Sequence, residues 1–216
     1  MPAICDVVVL LSGTGGNLQA MIDSFQDAAS PVRIRAVISN REDAFGLQRA
    51  RDAGIDACVL DHTAYEGREA FDAALIELID TFQPQLVVLA GFMRILSAGF
   101  VRHYQVACSI STLPCCRVTK ACTPTSGCWK PVTPNTVAAC ISSPRNSMAA
   151  HWSYRQLFSV QLHDTPAALA QRVHVQEHHI YPLAIRWFAE GRLRLGEQGA
   201  LLDGQPLPAS GHLIRI

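Results

Sequence analysis

Five consecutive apolar residues, Val7-Val8-Val9-Leu10-Leu11, run directly into Ser12-Gly13-Thr14-Gly15-Gly16-Asn17 and then into Leu18-Gln19-Ala20-Met21-Ile22. A short run that is apolar at every position, three of its members β-branched, reads as a strand buried on both faces, the pattern of a parallel sheet covered by helices. Strand, glycine-rich turn and helix in that order point backbone N–H groups and a positive helix end at an anion. A Cβ in the turn would hold the backbone away from that anion, which is why glycines belong there.

A dinucleotide fold asks for G-x-G-x-x-G and an acidic residue about twenty positions later, at the tip of the second strand. Gly13 and Gly15 satisfy the first half, but Leu18 stands at the third glycine position. The second strand, Arg33–Ser39, ends in Ser39-Asn40-Arg41 with no acid. The turn is therefore read as a site for a single phosphate rather than a dinucleotide. The plainer alternative is a turn that binds nothing.

With 216 residues the chain is long enough for one α/β domain with a full core. Its formal net charge is zero, which gives no footprint for nucleic acid or an anionic membrane surface. The run Val7–Leu11 is too short for a signal peptide or a membrane span, and no basic segment precedes it, so a cytoplasmic location is expected.

Up to about Tyr104 strands and helices alternate. Strands are expected at Asp6–Leu11, Arg33–Ser39, Asp56–Leu60 and Leu86–Ala90. Helices are expected at Asn17 to about Gln26, Asp43–Ala53, Glu69–Phe82 and from Ser97 to Tyr104. In the third helix Phe71, Ala74, Leu75, Leu78 and Ile79 recur at spacings of three and four. Such alternation means a parallel sheet with right-handed crossovers, whose ligand crevice lies beyond the carboxyl ends of the strands. Ser12–Asn17 and Gly91–Leu96 then face one mouth. Near the other end, Asp164-Thr165-Pro166 starts a helix that runs to about Glu190, with Pro182 as a point for a bend and Gly191 as its stop. Arg192–Leu195 and Ala200–Leu202 read as a hairpin, and Asp203-Gly204 as a further turn.

These two flanks resemble the phosphoribosylglycinamide formyltransferase family of folate-dependent purine-synthesis enzymes. The resemblance rests on Val8 to Ala20, Ala44-Phe45-Gly46-Leu47, Arg68-Glu69, Val87 to Leu96, Gln176-Glu177-His178, Ile180-Tyr181-Pro182-Leu183 and Leu202-Asp203-Gly204-Gln205. It covers roughly residues 6–105 and 161–206. It implies a single Rossmann-like α/β domain of the formyltransferase type over 1–216, with a mostly parallel sheet, a phosphate-binding half (1–105), an aberrant segment (106–160) expected to be disordered, and a C-terminal helix and hairpin (161–216). It also implies transfer of a formyl group from 10-formyltetrahydrofolate to the amine of glycinamide ribonucleotide, without a metal, by a monomer or weak homodimer. By the same resemblance Gly15, Gly16 and Asn17 would hold the ribonucleotide phosphate. Arg68 and Met93-Arg94-Ile95-Leu96 would meet the folate, and Glu177 the glycinamide.

The middle departs from this pattern. The family carries Asn-x-His-Pro-Ser-Leu-Leu-Pro after its fifth strand and an aspartate in a later loop. The amine attacks a formyl carbon, and the asparagine and a protonated histidine stabilise the resulting oxyanion while the aspartate supports the histidine's charge. At those places this chain has Ile110, Thr112 and Met148. No acidic residue occurs between Asp80 and Asp164, and Val106–Ser159 shows little period of 2 or 3.6. A change of reading frame accounts for this. With synonymous codons chosen for Ser109–Arg117 (TCA ATA TCC ACC CTT CCC TGC TGC CGC), the frame one base earlier reads Leu-Asn-Ile-His-Pro-Ser-Leu-Leu-Pro. The same shift on Val118–Ser126 gives Arg-Tyr-Lys-Gly-Leu-His-Thr-His-Gln. The frame would be lost near Gln105 and regained near Ser159–Gln161. A sequencing error and a lesion in the gene are both compatible with it. Two readings of function follow: an enzyme of this family with its catalytic motif scrambled and no activity as written, or a ribonucleotide-binding module that does no chemistry.

Two metal patterns compete poorly. Six of the eight cysteines fall between Cys108 and Cys140, but Cys108, Cys115, Cys116, Cys122 and Cys128 form no C-x₂-C pair, and shifted leucine codons explain them. His174-Val175-Gln176-Glu177-His178 fits H-x-x-E-H, yet too little chain follows for the downstream acidic ligand of a metalloprotease. Without the resemblance, Arg68 would be a solvated helix-start charge and Met93–Leu96 core residues after a strand.

Overall fold

The first strand, β1 (Cys5–Leu11), holds the fold together. Val7 to Leu11 are all 0% exposed and alternate between two cores. Val7, Val9 and Leu11 pack with Leu18 and Met21 of α1 (Gly16–Phe25), Leu47 of α2 (Phe45–Asp52), and Ile180, Tyr181, Ala184 and Ile185 of α5 (Pro166–Ala189). Val8 and Leu10 pack on the other face, with Phe71, Leu75 and Ile79 of α3 (Arg68–Asp80) and Phe100 of α4 (Ala98–His103). Each such side chain contributes about 1.5–3 kcal/mol when fully buried, so this one strand anchors both layers of helices. The computed structural model describes residues 4–104, 108–113, 136–142, 152–157, 166–196, 199–207 and 212–214.

Around β1 stand β2 (Val32–Ser39), β3 (Asp56–Val59), β4 (Leu86–Leu89), β5 (Cys108–Leu113), β6 (Thr136–Ser142), β7 (Trp152–Leu157) and, on the far edge, β11 (His212–Ile214). Among the described residues they form one sheet of order β11-β7-β6-β5-β4-β1-β2-β3. The pairs β1–β2, β1–β4, β2–β3, β4–β5 and β7–β11 are parallel, whereas β6 runs antiparallel to β5 and β7. The chain reverses its direction of travel across the sheet between β1 and β4, the switch point where a crevice opens beyond the strand ends.

Element boundaries in the two flanks lie within one or two residues of those expected from periodicity, because apolar spacing and glycine stops agree there. Gly191 (φ 72) ends α5, with its N–H bonded to Phe188 O and that of Arg192 to Trp187 O. The helix α5 continues across Pro182. The hairpin is β8 (Leu193–Gly196) with β9 (Gly199–Leu202). Asp203 (φ 51) and Gly204 (φ 81) then turn the chain into β10 (Gln205–Pro206), the paired positive φ values that an Asp-Gly two-residue turn supplies.

Within 106–160, against the expectation of disorder, three stretches, β5, β6 and β7, have strand backbones paired into the sheet. Periodicity does not mark them. Pairing with a formed neighbour settles strand backbone more strongly than local composition does. Met148 and the expected helix start Asp164-Thr165 lie outside the described residues, as do the side chains of the cysteine cluster. Among the described residues no helix is long and apolar enough to cross a membrane.

Candidate active site

The turn after β1 is built by close packing. Gly15 caps α1 with φ 71 and ψ 30, and a Cβ on it would lie 2.6 Å from Gly46 Cα. A Cβ on Gly46 would in turn lie 2.5 Å from Leu11 Cδ2. Gly46 N–H donates to Gly13 O at 3.0 Å, so the start of α2 is drawn against the turn. Only glycine allows both the left-handed φ and this approach. The first N–H groups of α1 have no partner within the helix, and the helix dipole adds positive character there.

From the opposite side α5 brings Glu177 and His178. Glu177 is 5% exposed; its Oε2 accepts a 3.0 Å bond from Asn17 Nδ2 and lies 3.2 Å from His174 Nδ1. Asn17 Oδ1 is buried without a partner among the described residues. His178 Nε2 would be 3.2 Å from a Cβ on Gly16. Burial, together with the neighbouring His174 and His179, pulls the pKa of His178 below the usual histidine value, although Glu177 pulls the other way. The turn, Asn17, Glu177 and His178 thus form one edge of the crevice, with the N-terminus of α1 beside a buried carboxylate.

The loop after β4 forms the other edge. Ser12 N–H donates to Gly91 O at 3.2 Å, and Met93 N–H donates to Ser12 Oγ at 2.8 Å. Ser12 Oγ itself donates to Asn40 Oδ1, and Asn40 is held by His62. Three strand ends are therefore tied at one point. Met93 and Ile95 are 82% and 75% exposed, an apolar pair left in solvent beside the crevice. Arg94 lies 4.8 Å over the Phe71 ring, with its Nε buried and unpartnered among the described residues. Leu96 packs against the α3 core. Arg68 is exposed at the first position of α3.

Backbone register places the motif positions of β5 relative to this crevice. Ile110 pairs with Val88, and Thr112 lies one residue beyond the Ser111–Leu89 pair, at the carboxyl end of the strand. The sequence reading finds the glycine turn, the β4 loop and His178 within its helix, but misses Arg49, Asn40, His62 and the approach of His178 to Gly16. These are polar residues on helices, at a strand tip or in a short 3₁₀ turn, and only the packing of distant elements gives them their neighbours. Among the described residues no group of three or more His, Cys, Asp or Glu side chains is gathered so that it could hold a metal ion.

Comparison with known proteins matches residues 5–115 to the family described as Formyl transferase. The chain is 40% identical to phosphoribosylglycinamide formyltransferase of Escherichia coli K12 over 220 residues, covering 96% of this chain and 98% of that one. It is 32% identical to the Haemophilus influenzae protein of the same name, covering 95% and 97%. The solved structure of the Coxiella burnetii phosphoribosylglycinamide formyltransferase, in complex with CHES, superposes with a TM-score of 0.84 at 37% identity, covering 98% of this chain and 100% of that one. The α/β architecture with its mostly parallel sheet is the one these proteins share, and the chain belongs to the phosphoribosylglycinamide formyltransferase family, a family of transferases.

Proposed function

We propose that the crevice binds glycinamide ribonucleotide and 10-formyltetrahydrofolate, the substrates of formyl transfer in purine synthesis, and that the chain as written binds without transferring. The working context is that of a cytoplasmic monomer or weak homodimer. Gly15, Gly16 and Asn17 take the ribonucleotide phosphate through backbone N–H groups, with His178 beside them. Glu177 takes the glycinamide amine: its buried carboxylate, already bonded to Asn17 and beside His174, can accept a further charge-assisted bond from an ammonium. Met93 to Leu96 take the folate heterocycle, whose planar surface the exposed Met93 and Ile95 would cover, and Arg68 takes its acidic tail. Folate enters here as a substrate, not as a resident group. The observation that supports the reading is the 3.0 Å Asn17–Glu177 bond, which joins the glycine turn to a buried carboxylate.

Transfer needs more than binding. The tetrahedral oxyanion requires donors aimed at it and an acid for the leaving folate nitrogen. Ile110 and Met148 have no proton to give, and the Thr112 hydroxyl is too weak an acid. Residues 106–160 are accordingly read as the family's segment translated out of frame. Calorimetry with glycinamide ribonucleotide, followed by an assay of formyl transfer on mass-verified protein, tests this. Binding without turnover is expected; turnover would remove the site assignment, and loss of both would remove the binding reading.

A further inference from the structure

Arg49 is an intermediate-exposure residue of α2 whose guanidinium is already committed. Its Nε donates to Thr14 O at 2.9 Å, its Nη1 donates to Gln19 Oε1 at 2.9 Å, and its plane lies 5.0 Å over the Phe45 ring. Phe45 is 56% exposed, a large aromatic kept in solvent at the start of α2, and it serves as the platform for that stack. A Cβ on Gly15 would come within 3.4 Å of Arg49 Cδ, so the side chain lies along the turn itself. In a trans peptide the carbonyl and the following N–H point in opposite directions. Drawing Thr14 O toward Arg49 therefore aims Gly15 N–H away from Arg49. The bond to Gln19 ties the same guanidinium to the first turns of α1. The planar fork of arginine can hold two acceptors at fixed angles; a lysine can supply the charge but not the fork.

We infer that Arg49, stacked on Phe45, is a positioning residue that holds the Gly13–Gly16 turn in its anion-receiving shape and so sets the affinity for a phosphate monoester. This rests on the phosphate reading given above. Arg49 acts through the turn; its positive charge adds a longer-range attraction that is screened by salt.

Calorimetric titration of the full chain with glycinamide ribonucleotide tests it, using Arg49→Lys, Arg49→Gln and Gln19→Ala at two salt concentrations and well below each variant's thermal midpoint. Arg49→Lys and Arg49→Gln should each weaken binding about tenfold, the cost of a lost charge-assisted bond, while Lys keeps the salt dependence of the unmodified chain. Gln19→Ala, which leaves the charge, the stack and the Thr14 bond in place, should weaken it only about twofold to threefold, and keeps the test informative if Arg49→Lys lowers folding stability. Arg49→Lys binding as tightly as the unmodified chain would overturn the inference and leave the phosphate site standing. An unmodified chain that does not bind the ribonucleotide would overturn the phosphate site, and the inference with it.

Discussion

Asn17 and Glu177, 160 residues apart in the chain, meet through a 3.0 Å bond from Asn17 Nδ2 to Glu177 Oε2. The bond joins the first turn of α1 to the buried side of α5, so the glycine turn and the buried carboxylate are set side by side. Glu177→Gln keeps an acceptor for Asn17 and removes the charge. We expect its folding stability to change by less than about 1 kcal/mol, while affinity for glycinamide ribonucleotide falls at least about tenfold. Urea denaturation and calorimetry on the same sample separate the two effects.

Glycine substitutions distinguish close packing from open loop. Gly46→Ala places a methyl 2.5 Å from Leu11 Cδ2, and Gly15→Ala combines φ 71 with a 2.6 Å approach to Gly46 backbone. Each should cost about 1–3 kcal/mol in urea denaturation. Gly13→Ala, with nothing within 4 Å of the new methyl, should stay within about 0.5 kcal/mol.

If a phosphate binds beside Gly16 as proposed, His178 should couple its binding to proton uptake. Its pKa lies below the ordinary 6.5 because of burial and then His174, with His179 also lowering it and Glu177 opposing. Below the ordinary value the unfolded chain takes up this proton more readily than the folded one, so His178 lowers stability as pH falls through about 6.5 toward its folded pKa. A phosphate beside Gly16 would raise that pKa again. Calorimetry at pH 6.5–7 in buffers of different ionisation enthalpy should show net proton uptake on binding, and His178→Ala should abolish it.

Tyr181 is fully buried, and its hydroxyl donates to Leu89 O at 2.7 Å, tying α5 to β4 at the switch point. Tyr181→Phe should lower stability by about 1–2 kcal/mol, read from the urea midpoint, since the hydroxyl is lost within a packed core.

The flanks of the fold are legible in the sequence because several local signals agree. Val7–Leu11 is apolar at every position since helices cover both of its faces, and Gly191 and Asp203-Gly204 stop and turn the chain by backbone conformation alone. The close packing of the glycine turn is legible for the same reason: Gly15 and Gly46 answer a steric requirement that shows in composition. The bracing of Arg49 and the place of His178 beside Gly16 are not legible, because a charged or imidazole side chain on a helix looks the same whether it is solvated or braced against another element. Strands β5, β6 and β7 escape notice because their pairing partners, rather than their own alternation, define them.

Formyl transfer from 10-formyltetrahydrofolate to glycinamide ribonucleotide, measured on two mass-verified proteins, tests the central claim most directly: the chain as written, and one whose residues 106–160 follow the shifted frame. The account predicts ribonucleotide binding without transfer by the first and transfer by the second. Transfer by the first, with Ile110, Thr112 and Met148 in place, would contradict it.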